Sequence, residues 1–406
     1  MHRRNASEPT RRTLLSGAAA WAGARLAAGS TAQEAQPAAA ERPQPGRAGG
    51  AVYAYVGCYT SAQRYARGDG IHVYRVNPET GAWSHVQHLG GLVNPSFLVL
   101  GRDQRCLYCA HGDETYASAF SVDRESGRLT LLNQVETGGR NGVHPAVDPR
   151  GRFVLVANYT SGNVSVLATR PDGALGERVQ LVALEGPPGP HRLEQASSHP
   201  HQIVFDPAGR FVVVPDKGLD RLFIFRFDPD SGKLTPSEPG AAIARPGSGP
   251  RHLAFHPRLP VAWVLNEISS TVATYNLEAE HGGMRAVQVL PSLPSDYTGE
   301  NTAAEIAVSP GGRFIYCSNR GHDSIATFSA DPATGLLTSA GWVSSQGRSP
   351  RFIGFDPSRR FLYAANEQSD TVVTFRADSA TGLLTPIGQV ITNASPVVIA
   401  FAVWNA

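Results

Sequence analysis

Residues 199–228, HPHQIVFDPAGRFVVVPDKGLDRLFIFRFD, decide the fold because they contain one complete copy of a structural repeat. Two short β-patterned runs, residues 202–205 and 211–214, are separated by the sequence DPAGR, whose Pro207 and Gly209 suit a type I turn. A second polar turn leads into an apolar run at residues 221–227, and a further turn leads into a fourth run. The stretch therefore predicts a four-stranded antiparallel meander.

The same first turn recurs along the chain at intervals of roughly 50 residues, a spacing typical of propeller blades. Together with the copy at Asp206 there are six, and the other turns begin at Val99, Val147, Phe255, Val308 and Phe355. Five copies lead into an apolar strand that ends in a polar pair: Asn158-Tyr159, Pro215-Asp216, Asn266-Glu267, Asn319-Arg320 and Asn366-Glu367. The repeat predicts one blade for each copy.

A seventh repeat is divided between the two ends of the chain. Residues 395–403 match the first strand of a repeat and then stop, and residues 52–59, 70–76 and 83–89 match the three strands that are missing. Pairing of the two ends would close the ring and remove its open edge. We therefore predict an all-β fold over residues 51–406: a seven-bladed β-propeller of four-stranded antiparallel blades, the last closed by N- and C-terminal strands.

The first 50 residues differ in composition from the rest. The segment from Thr10 to Leu15, TRRTLL, resembles the twin-arginine export motif, and a weakly apolar run and small residues follow it. Residues 1–32 are therefore predicted to be a signal peptide, and the mature protein to be periplasmic or secreted. Residues 33–50 are rich in Ala, Pro, Gln and Gly and predict a flexible linker.

The charge balance gives no indication of a nucleic-acid partner. Loss of residues 1–32 would remove five basic residues and one acidic residue, so the formal charge would change from +2 to −2. Beyond the predicted signal peptide there is no apolar run long enough to span a bilayer. The expected partner is a small lactone or sugar acid, bound by a monomer that contacts neither nucleic acid nor membrane.

The four cysteines are Cys58, Cys106, Cys109 and Cys317. Cys106 and Cys109 form a CxxC sequence, but they lie in a strand pattern, where three residues advance roughly 10 Å and place the two thiols on opposite faces. That separation exceeds what a disulfide allows. All four are predicted to be small buried core residues.

The topology predicts where a site can form. The DPxGR turns join strands one and two on one face of the ring, so the ends of the second strands and the segments leading into the first strands meet on the other, near the axis. The candidate catalytic residues there are His201, Arg251, Glu267 and Arg320. The candidate substrate-binding residues are His199, Asn158, Asp216, Asn319, Glu305 and Arg351.

Several of these polar residues have a structural alternative. The Asp of each DPxGR turn is expected to cap its own turn. The repeated Asn158, Asn319 and Asn366 could simply hold the turns that follow the second strands. Glu267, Arg251, His201 and Arg320 depart from the repeat in a chemically useful way, which favours a functional role.

An ordered set of motifs resembles the lactonase family of seven-bladed propellers, which includes propeller-type 6-phosphogluconolactonases and carboxymuconate-cyclising enzymes. These motifs are YAYVGCYT from Tyr53, NPSFL from Asn94, VANYTSG from Val156, HPH from His199, GPRH from Gly249 and SNRGHDS from Ser318. In the cyclising relatives a His, two Arg and a Glu form the site. The resemblance therefore implies such roles for His201, Arg251, Arg320 and Glu267.

The leading hypothesis is hydrolysis of a sugar-derived lactone without cofactor or metal. His201 or Glu267 would be the general base, Arg251 the oxyanion or carboxylate clamp, and Arg320 a second anionic contact. One alternative is a carboxymuconate-type lactonising cyclase, and another is a calcium-dependent lactonase with Glu267 and channel asparagines as ligands. A third is a non-enzymatic binding propeller of the cell envelope.

Overall fold

The structure, a computed structural model, describes residues 50–278 and 280–404. The predicted signal peptide and all but the last residue of the predicted linker lie outside this part of the chain. Within it, no helix has the length and apolar character needed to cross a bilayer. The described residues form seven four-stranded antiparallel sheets, which confirms the predicted seven-bladed propeller.

The strands follow one another with one blade for every four. The sheet completed by the chain ends is blade 7, and the others are numbered in chain order. The strands of blade 7 and blades 1 to 3 are β1 (Ala51–Cys58), β2 (Gly70–Val76), β3 (Trp83–Gly90); β4 (Pro95–Leu100), β5 (Cys106–His111), β6 (Tyr116–Val122), β7 (Leu129–Glu136); β8 (Gly142–Val147), β9 (Phe153–Asn158), β10 (Asn163–Thr169), β11 (Leu175–Ala183); β12 (Val204–Phe205), β13 (Phe211–Asp216), β14 (Arg221–Phe227), β15 (Leu234–Ile243).

The remaining blades continue the pattern, and the last strand returns to blade 7. Their strands are β16 (Pro250–Phe255), β17 (Val261–Asn266), β18 (Thr271–Glu278), β19 (Gly283–Pro291); β20 (Thr302–Val308), β21 (Phe314–Arg320), β22 (Ser324–Ala330), β23 (Leu337–Ser344); β24 (Pro350–Phe355), β25 (Phe361–Asn366), β26 (Thr371–Ala377), β27 (Leu384–Thr392); and β28 (Pro396–Trp404). Among the described residues, the helical structure is one 3₁₀ turn, Ala62–Arg64.

The ring closes by antiparallel pairing of its two ends. Strand β28 pairs with β1 from Ala51 opposite Trp404 to Cys58 opposite Pro396. The sheet order β28-β1-β2-β3 is the one predicted from the divided repeat, with bounds that differ by one residue. Blade 7 therefore has four strands like every other blade, and β1 is paired along both of its edges.

The core lies between neighbouring blades. Inner strands such as β9, β17 and β25 are buried along their whole length because adjacent blades cover both faces. This explains why their sequences are continuously apolar rather than alternating. Fourth strands such as β27 alternate between exposed and partly buried residues, since one side meets water.

The DPxGR turns and the cysteines have the predicted structural roles. The Asp206 Oδ1 atom accepts hydrogen bonds from the backbone N–H of Arg210 and Phe211, at 2.6 and 2.8 Å, and so caps its own turn. All four cysteines are free and buried. Cys109 packs in the core between blades 7 and 1 and Cys106 in the core between blades 1 and 2, so the CxxC thiols lie on opposite faces of β5.

One blade departs from the expected regularity. The first strand of blade 3 was expected at residues 202–205, but only Val204–Phe205 form a strand. Before it, the chain makes an isolated bridge between Pro200 and Asp216. The irregular segment between these two pairings carries His201 into the centre of the ring.

Candidate active site

The innermost strand of each blade is irregular near its beginning, and this irregularity builds the site. In blade 4, Pro250 pairs with Asn266 and His252 pairs with Leu265, so Arg251 has no partner in the ladder. Such a β-bulge redirects the side chain of the extra residue. The same offset leaves Ser96, Val143, Arg351 and Val397 unpaired in blades 1, 2, 6 and 7.

The two remaining blades place a residue at the corresponding position by longer irregularities. In blade 5, pairing stops at Ala303 and resumes at Ile306, which leaves Glu305 between them. In blade 3, His201 follows the bridge at Pro200. Every blade therefore directs at least one side chain out of its first strand towards the axis.

These redirected side chains line one small cavity in the ring. Its volume is about 10 Å³, close to the space needed by one water molecule. The His, Arg and Glu residues of the lining come from blades 3 to 6, whereas blades 7, 1 and 2 supply Tyr59, Val397, Ser96, Phe97 and Val143. The cavity thus has a charged wall and a largely apolar wall. The charged wall consists of His201, Arg251, Glu305 and Arg351, with His252 beside Arg251.

Glu267 lies beside this cavity and is surrounded by cationic groups. Its Oε2 atom is 2.8 Å from Arg251 Nε, and its Oε1 atom is 3.1 Å from Lys217 Nζ and 3.3 Å from Arg320 Nη2. His201 Nε2 is 3.9 Å from Oε2. The structure therefore brings together all four residues proposed as catalytic, although they come from three blades.

The charges around Glu267 determine its protonation. Burial alone would raise the pKa of this carboxyl, but the nearby charges of Arg320, Lys217 and Arg251 outweigh burial and hold the pKa well below its usual range. Burial also lowers the pKa of Arg251, to about 10, which leaves the guanidinium charged at neutral pH. Glu267 is consequently an ionised counter-charge and a weak base.

Glu305 has the opposite character. Burial raises its pKa to about 7, and Arg251 opposes this shift only partly. Its Oε1 atom lies 2.8 Å from His252 Nδ1. Burial and the charge of Arg251 both lower the pKa of His252 and of His201, so both imidazoles are neutral. The site therefore contains one buried carboxyl that can exchange a proton near neutral pH.

Several buried polar atoms of the site have no hydrogen-bond partner within the described residues. They include His201 Nδ1, His252 Nε2 and Arg320 Nε. Buried polar groups are normally paired, because an unpaired one has lost its water without compensation. Their concentration around one cavity is what a site for a polar ligand requires.

The polar pair at the end of a second strand consists of two residues with different structural roles. The first holds the turn. Asp216 accepts hydrogen bonds from Ser198 Oγ at 2.5 Å and from the backbone N–H groups of His199, Gly218 and Leu219 at 2.9 to 3.0 Å. Asn158 bonds Asn163, Ser165 and Thr137, and Asn319 bonds Ser292 and Ser324. These three predicted substrate-binding residues are fully buried and lie outside the Glu267 cluster.

The second residue of each pair lies at the channel. Glu267 and Arg320 occupy this position, and so does Lys217, which bonds Glu267 and also Glu194 Oε2 at 2.5 Å. Sequence reasoning missed Lys217 because the blade 3 pair was read one residue early, as Pro215-Asp216. Aligning Asp216 with Asn158 and Asn319 would have placed Lys217 in register with Glu267.

His199 and Arg351 occupy the border of the cluster. The His199 ring stacks on Tyr159, with centroids 4.4 Å apart, and its Nδ1 atom lies 3.1 Å from the Tyr159 carbonyl oxygen. The Arg351 guanidinium lies over the Tyr59 ring at 5.0 Å and 3.8 Å from Glu367. His199 therefore supports the wall of the site, whereas Arg351 adds a further cation to the cavity.

A metal ion does not suit this cluster. Glu267 already faces three cationic side chains, and a divalent ion there would be repelled by all of them. A second cavity, of about 480 Å³, lies among the DPxGR turns, and its lining includes Pro310, Asp356 and Pro357. Of the candidate residues, it is lined by Glu305 alone. Arg251, Arg320 and Lys217, the cations around Glu267, do not line this second cavity.

The fold and the cluster define a seven-bladed β-propeller in which charged side chains from several blades meet in the central channel. The family described as "Lactonase, 7-bladed beta-propeller" matches residues 53–401. The chain belongs to this family, as the motifs predicted.

Similar proteins and a solved structure support the same family assignment. The chain is 36% identical over 305 residues to the 6-phosphogluconolactonase of Bacillus subtilis (strain 168), covering 74% of this chain and 84% of that protein. It is 31% identical over 309 residues to a 6-phosphogluconolactonase of Formosa agariphila, covering 74% and 86%. The solved periplasmic gluconolactonase of Pseudomonas aeruginosa has a TM-score of 0.79 at 31% identity, with 86% of this chain and 99% of that chain covered. These relationships confirm the predicted class of enzyme, a lactonase.

Proposed function

We propose that the protein hydrolyses the lactone of a sugar acid at the cluster formed by blades 3 to 6. The observation that carries this proposal is the convergence of Lys217, Arg251 and Arg320 on Glu267, beside a proton-exchanging Glu305. Such a set supplies what ester hydrolysis needs: a base for water, positive charge for the oxyanion, and a proton for the departing alkoxide.

Glu305 is the proposed general base, in place of the alternatives His201 and Glu267. A base works best when its pKa is near the operating pH, and the raised pKa of Glu305 meets this condition whereas the depressed pKa of Glu267 does not. Glu305 lines both cavities, and the smaller one has space for one water molecule. His252, hydrogen-bonded to Glu305, holds the carboxyl in place.

The reaction follows from these positions. Water attacks the lactone carbonyl carbon while Glu305 takes its proton, and the negative charge that develops on the carbonyl oxygen is stabilised by Arg251 and Arg320. The ring C–O bond then breaks, and the proton held by Glu305 passes to the alkoxide. Glu267 keeps the two guanidinium groups in place and is a positioning residue. Planar guanidinium groups suit the carboxylate of the product as well.

A carboxymuconate-type lactonising cyclase is the second candidate. The observation that favours it is the number of cations in this region, because Arg251 and Arg351 at the cavity and Arg320 and Lys217 at Glu267 could together bind two carboxylates. Cyclisation would join a carboxylate oxygen to an alkene carbon and add a proton to the neighbouring carbon, so the cations would bind the two carboxylates and the protonated Glu305 would supply the proton.

The twin-arginine segment bears on the substrate. We propose that residues 1–32 direct export and that the substrate is an unphosphorylated lactone, because an exported protein would not meet a cytoplasmic phosphosugar. The relative from Pseudomonas aeruginosa is named a periplasmic gluconolactonase, which supports this proposal. Replacement of Arg11 and Arg12 by Lys should retain the protein in the cytoplasm, and unchanged fractionation would contradict the export proposal.

The test is a substrate comparison with purified full-length protein. We expect turnover of δ-gluconolactone well above the spontaneous rate, with slower turnover of 6-phosphogluconolactone and of a carboxymuconate. Glu267→Gln should lose activity about 100-fold because Arg251 and Arg320 would no longer be held in place, and the exposed Glu177→Gln should not. Failure of the wild-type protein to open any lactone would overturn the proposal, and preferential cyclisation of the muconate would favour the second candidate.

A further inference from the structure

Three histidines and an aspartate gather in blade 7, and none of them belongs to the candidate active site. His72 lies in β2, His85 and His88 lie in β3, and Asp69 directly precedes β2. The cluster occupies the third and fourth strands of the blade. It therefore requires an explanation separate from lactone hydrolysis.

A β-bulge brings the histidines to one side of the hairpin. His72 is directly opposite His88, and Tyr74 is opposite His85, with a register shift between Val73 and Tyr74. Residues three apart in a regular strand face opposite sides, so His85 and His88 would ordinarily diverge. The shift removes this divergence, because the bulge adds one residue to β3 between the two histidines.

The donor atoms of three of these residues converge. Asp69 Oδ1 is 2.8 Å from His72 Nε2, and Asp69 Oδ2 is 3.1 Å from His88 Nε2. The two imidazole rings stack with centroids 4.8 Å apart. One donor atom from each of the three residues lies within 4.8 Å of the others. Ligands around a tetrahedral Zn²⁺ are separated by about 3.3 Å, so small side-chain movements would suffice to enclose an ion.

His85 stands behind one of the converging imidazoles. Its Nε2 atom lies 3.2 Å from His72 Nδ1. If His72 donates its Nδ1–H to His85, the His72 Nε2 lone pair points towards Asp69 and His88. Metal-binding histidines commonly have their second ring nitrogen fixed in this way.

We propose that Asp69, His72 and His88 bind a divalent late first-row transition ion, of which Zn²⁺ is the natural probe. Two imidazole nitrogens and one carboxylate oxygen suit such an ion, and water would complete its coordination. Asp69 is more than half exposed, which gives the ion a path of entry. The bound ion would join the segment before β2 to the edge strand β3 and stabilise blade 7. His85 is a positioning residue.

The test is calorimetric titration of untagged, EDTA-treated full-length protein with ZnCl₂. We expect one Zn²⁺ bound per chain at this site and a raised Tm in its presence. His88→Gln and Asp69→Asn should each weaken binding at least tenfold, and His85→Gln should weaken it about tenfold. His281→Gln is the matched control, because His281 is an exposed histidine 3.7 Å from a single carboxylate, Glu280.

The outcomes are distinguishable from those of the proposed function. Lactone turnover should be unchanged in His88→Gln and Asp69→Asn, since neither residue contacts the cluster around Glu267. Equal Zn²⁺ binding by wild type and by a His72→Gln/His88→Gln double variant of unchanged circular dichroism would overturn the proposal. So would the absence of any binding by the wild-type protein. An anomalous zinc signal between Asp69, His72 and His88 in a soaked crystal would support it directly.

Discussion

At the scale of single residues, the site depends on two carboxylates that burial affects in opposite ways. Glu267 is ionised because three cations outweigh its desolvation, whereas Glu305 has one imidazole partner and a pKa of about 7. Pairs of titratable groups whose surroundings separate their pKa values commonly divide the work of binding charge and moving protons. This difference, and not the residue types, distinguishes the proposed roles of the two glutamates.

The raised pKa of Glu305 predicts a pH dependence of activity. If Glu305 must be deprotonated to accept a proton from water, kcat/KM for δ-gluconolactone should rise with pH through about 7 and then level off. The measurement is the initial rate between pH 5.5 and 8.5 after subtraction of spontaneous hydrolysis. Glu305→Gln should lose most of this activity at every pH. A flat wild-type profile would show that another group is the base.

The same shift predicts a pH dependence of stability. The pKa of Glu305 is higher in the folded protein than the ordinary value of 4.5, so its contribution is complete below pH 4.5 and is lost as the pH rises through about 7. Glu305→Gln cannot ionise and should gain stability relative to wild type between pH 5 and 8, by up to about 3 kcal/mol. Denaturant unfolding of both proteins at pH 5 and at pH 8 measures this difference in the free energy of unfolding. A constant difference would mean that the carboxyl is not shifted.

At the scale of elements, the recurring β-bulges do more for the site than any single motif. Strand neighbours normally point to opposite faces, yet Arg251 and His252 both line the cavity because the bulge at Arg251 interrupts the alternation. The charged wall is therefore a property of strand pairing. Substituting the bulged residue changes the chemistry of the cavity without changing the ladder.

The sequence predicted the blades better than it predicted the site, and the bulges explain the difference. Turn residues and apolar runs are local signals, so β2 was placed at residues 70–76 and the other strands of blade 7 within one residue. The sequence predicts that Arg251 and Glu305 lie at the site, but it does not predict the irregular strand pairing that turns their side chains towards the axis. His252 was missed because the pairing offset beside it involves a second strand, whose register cannot be read from the sequence.

The turn between the third and fourth strands of blade 3 packs against the preceding blade, and substitution of Gly232 tests this contact. Its φ is 73°, and a Cβ placed on it would lie 2.5 Å from the Phe153 ring of the preceding blade. Gly388 has a similar φ of 79° but nothing within 4 Å of the corresponding position. Gly232→Ala should therefore lower the free energy of unfolding by about 2 kcal/mol more than Gly388→Ala does. Equal losses in denaturant titrations would show that backbone conformation alone matters at both positions.

At the scale of the whole molecule, the ring is held shut by β28. This strand completes blade 7 and also contributes Val398 and Ala402 to the core shared with blade 1. Its removal would expose the hydrogen-bonding edge of β1 along its whole length. The structure therefore makes the last strand essential to a fold that begins some 350 residues earlier.

Deletion of residues 395–404 should abolish cooperative folding. We expect the truncated protein to aggregate or to melt without a single transition, because one blade would lack its inner strand and two interblade cores would be opened. Deletion of residues 405–406 is the matched control and should leave the melting curve unchanged. A truncated protein with wild-type Tm by circular dichroism would contradict closure by the chain ends.

The central claim is that cationic side chains from different blades act together on one lactone, and its most direct test is kcat/KM for δ-gluconolactone in Arg251→Ala and Arg320→Ala. Arg285→Ala, which removes an exposed arginine from β19, is the control. With folding verified by circular dichroism, we predict losses of about 100-fold or more in the two site variants and no loss in the control. Wild-type kcat/KM in folded Arg251→Ala and Arg320→Ala proteins would contradict the account.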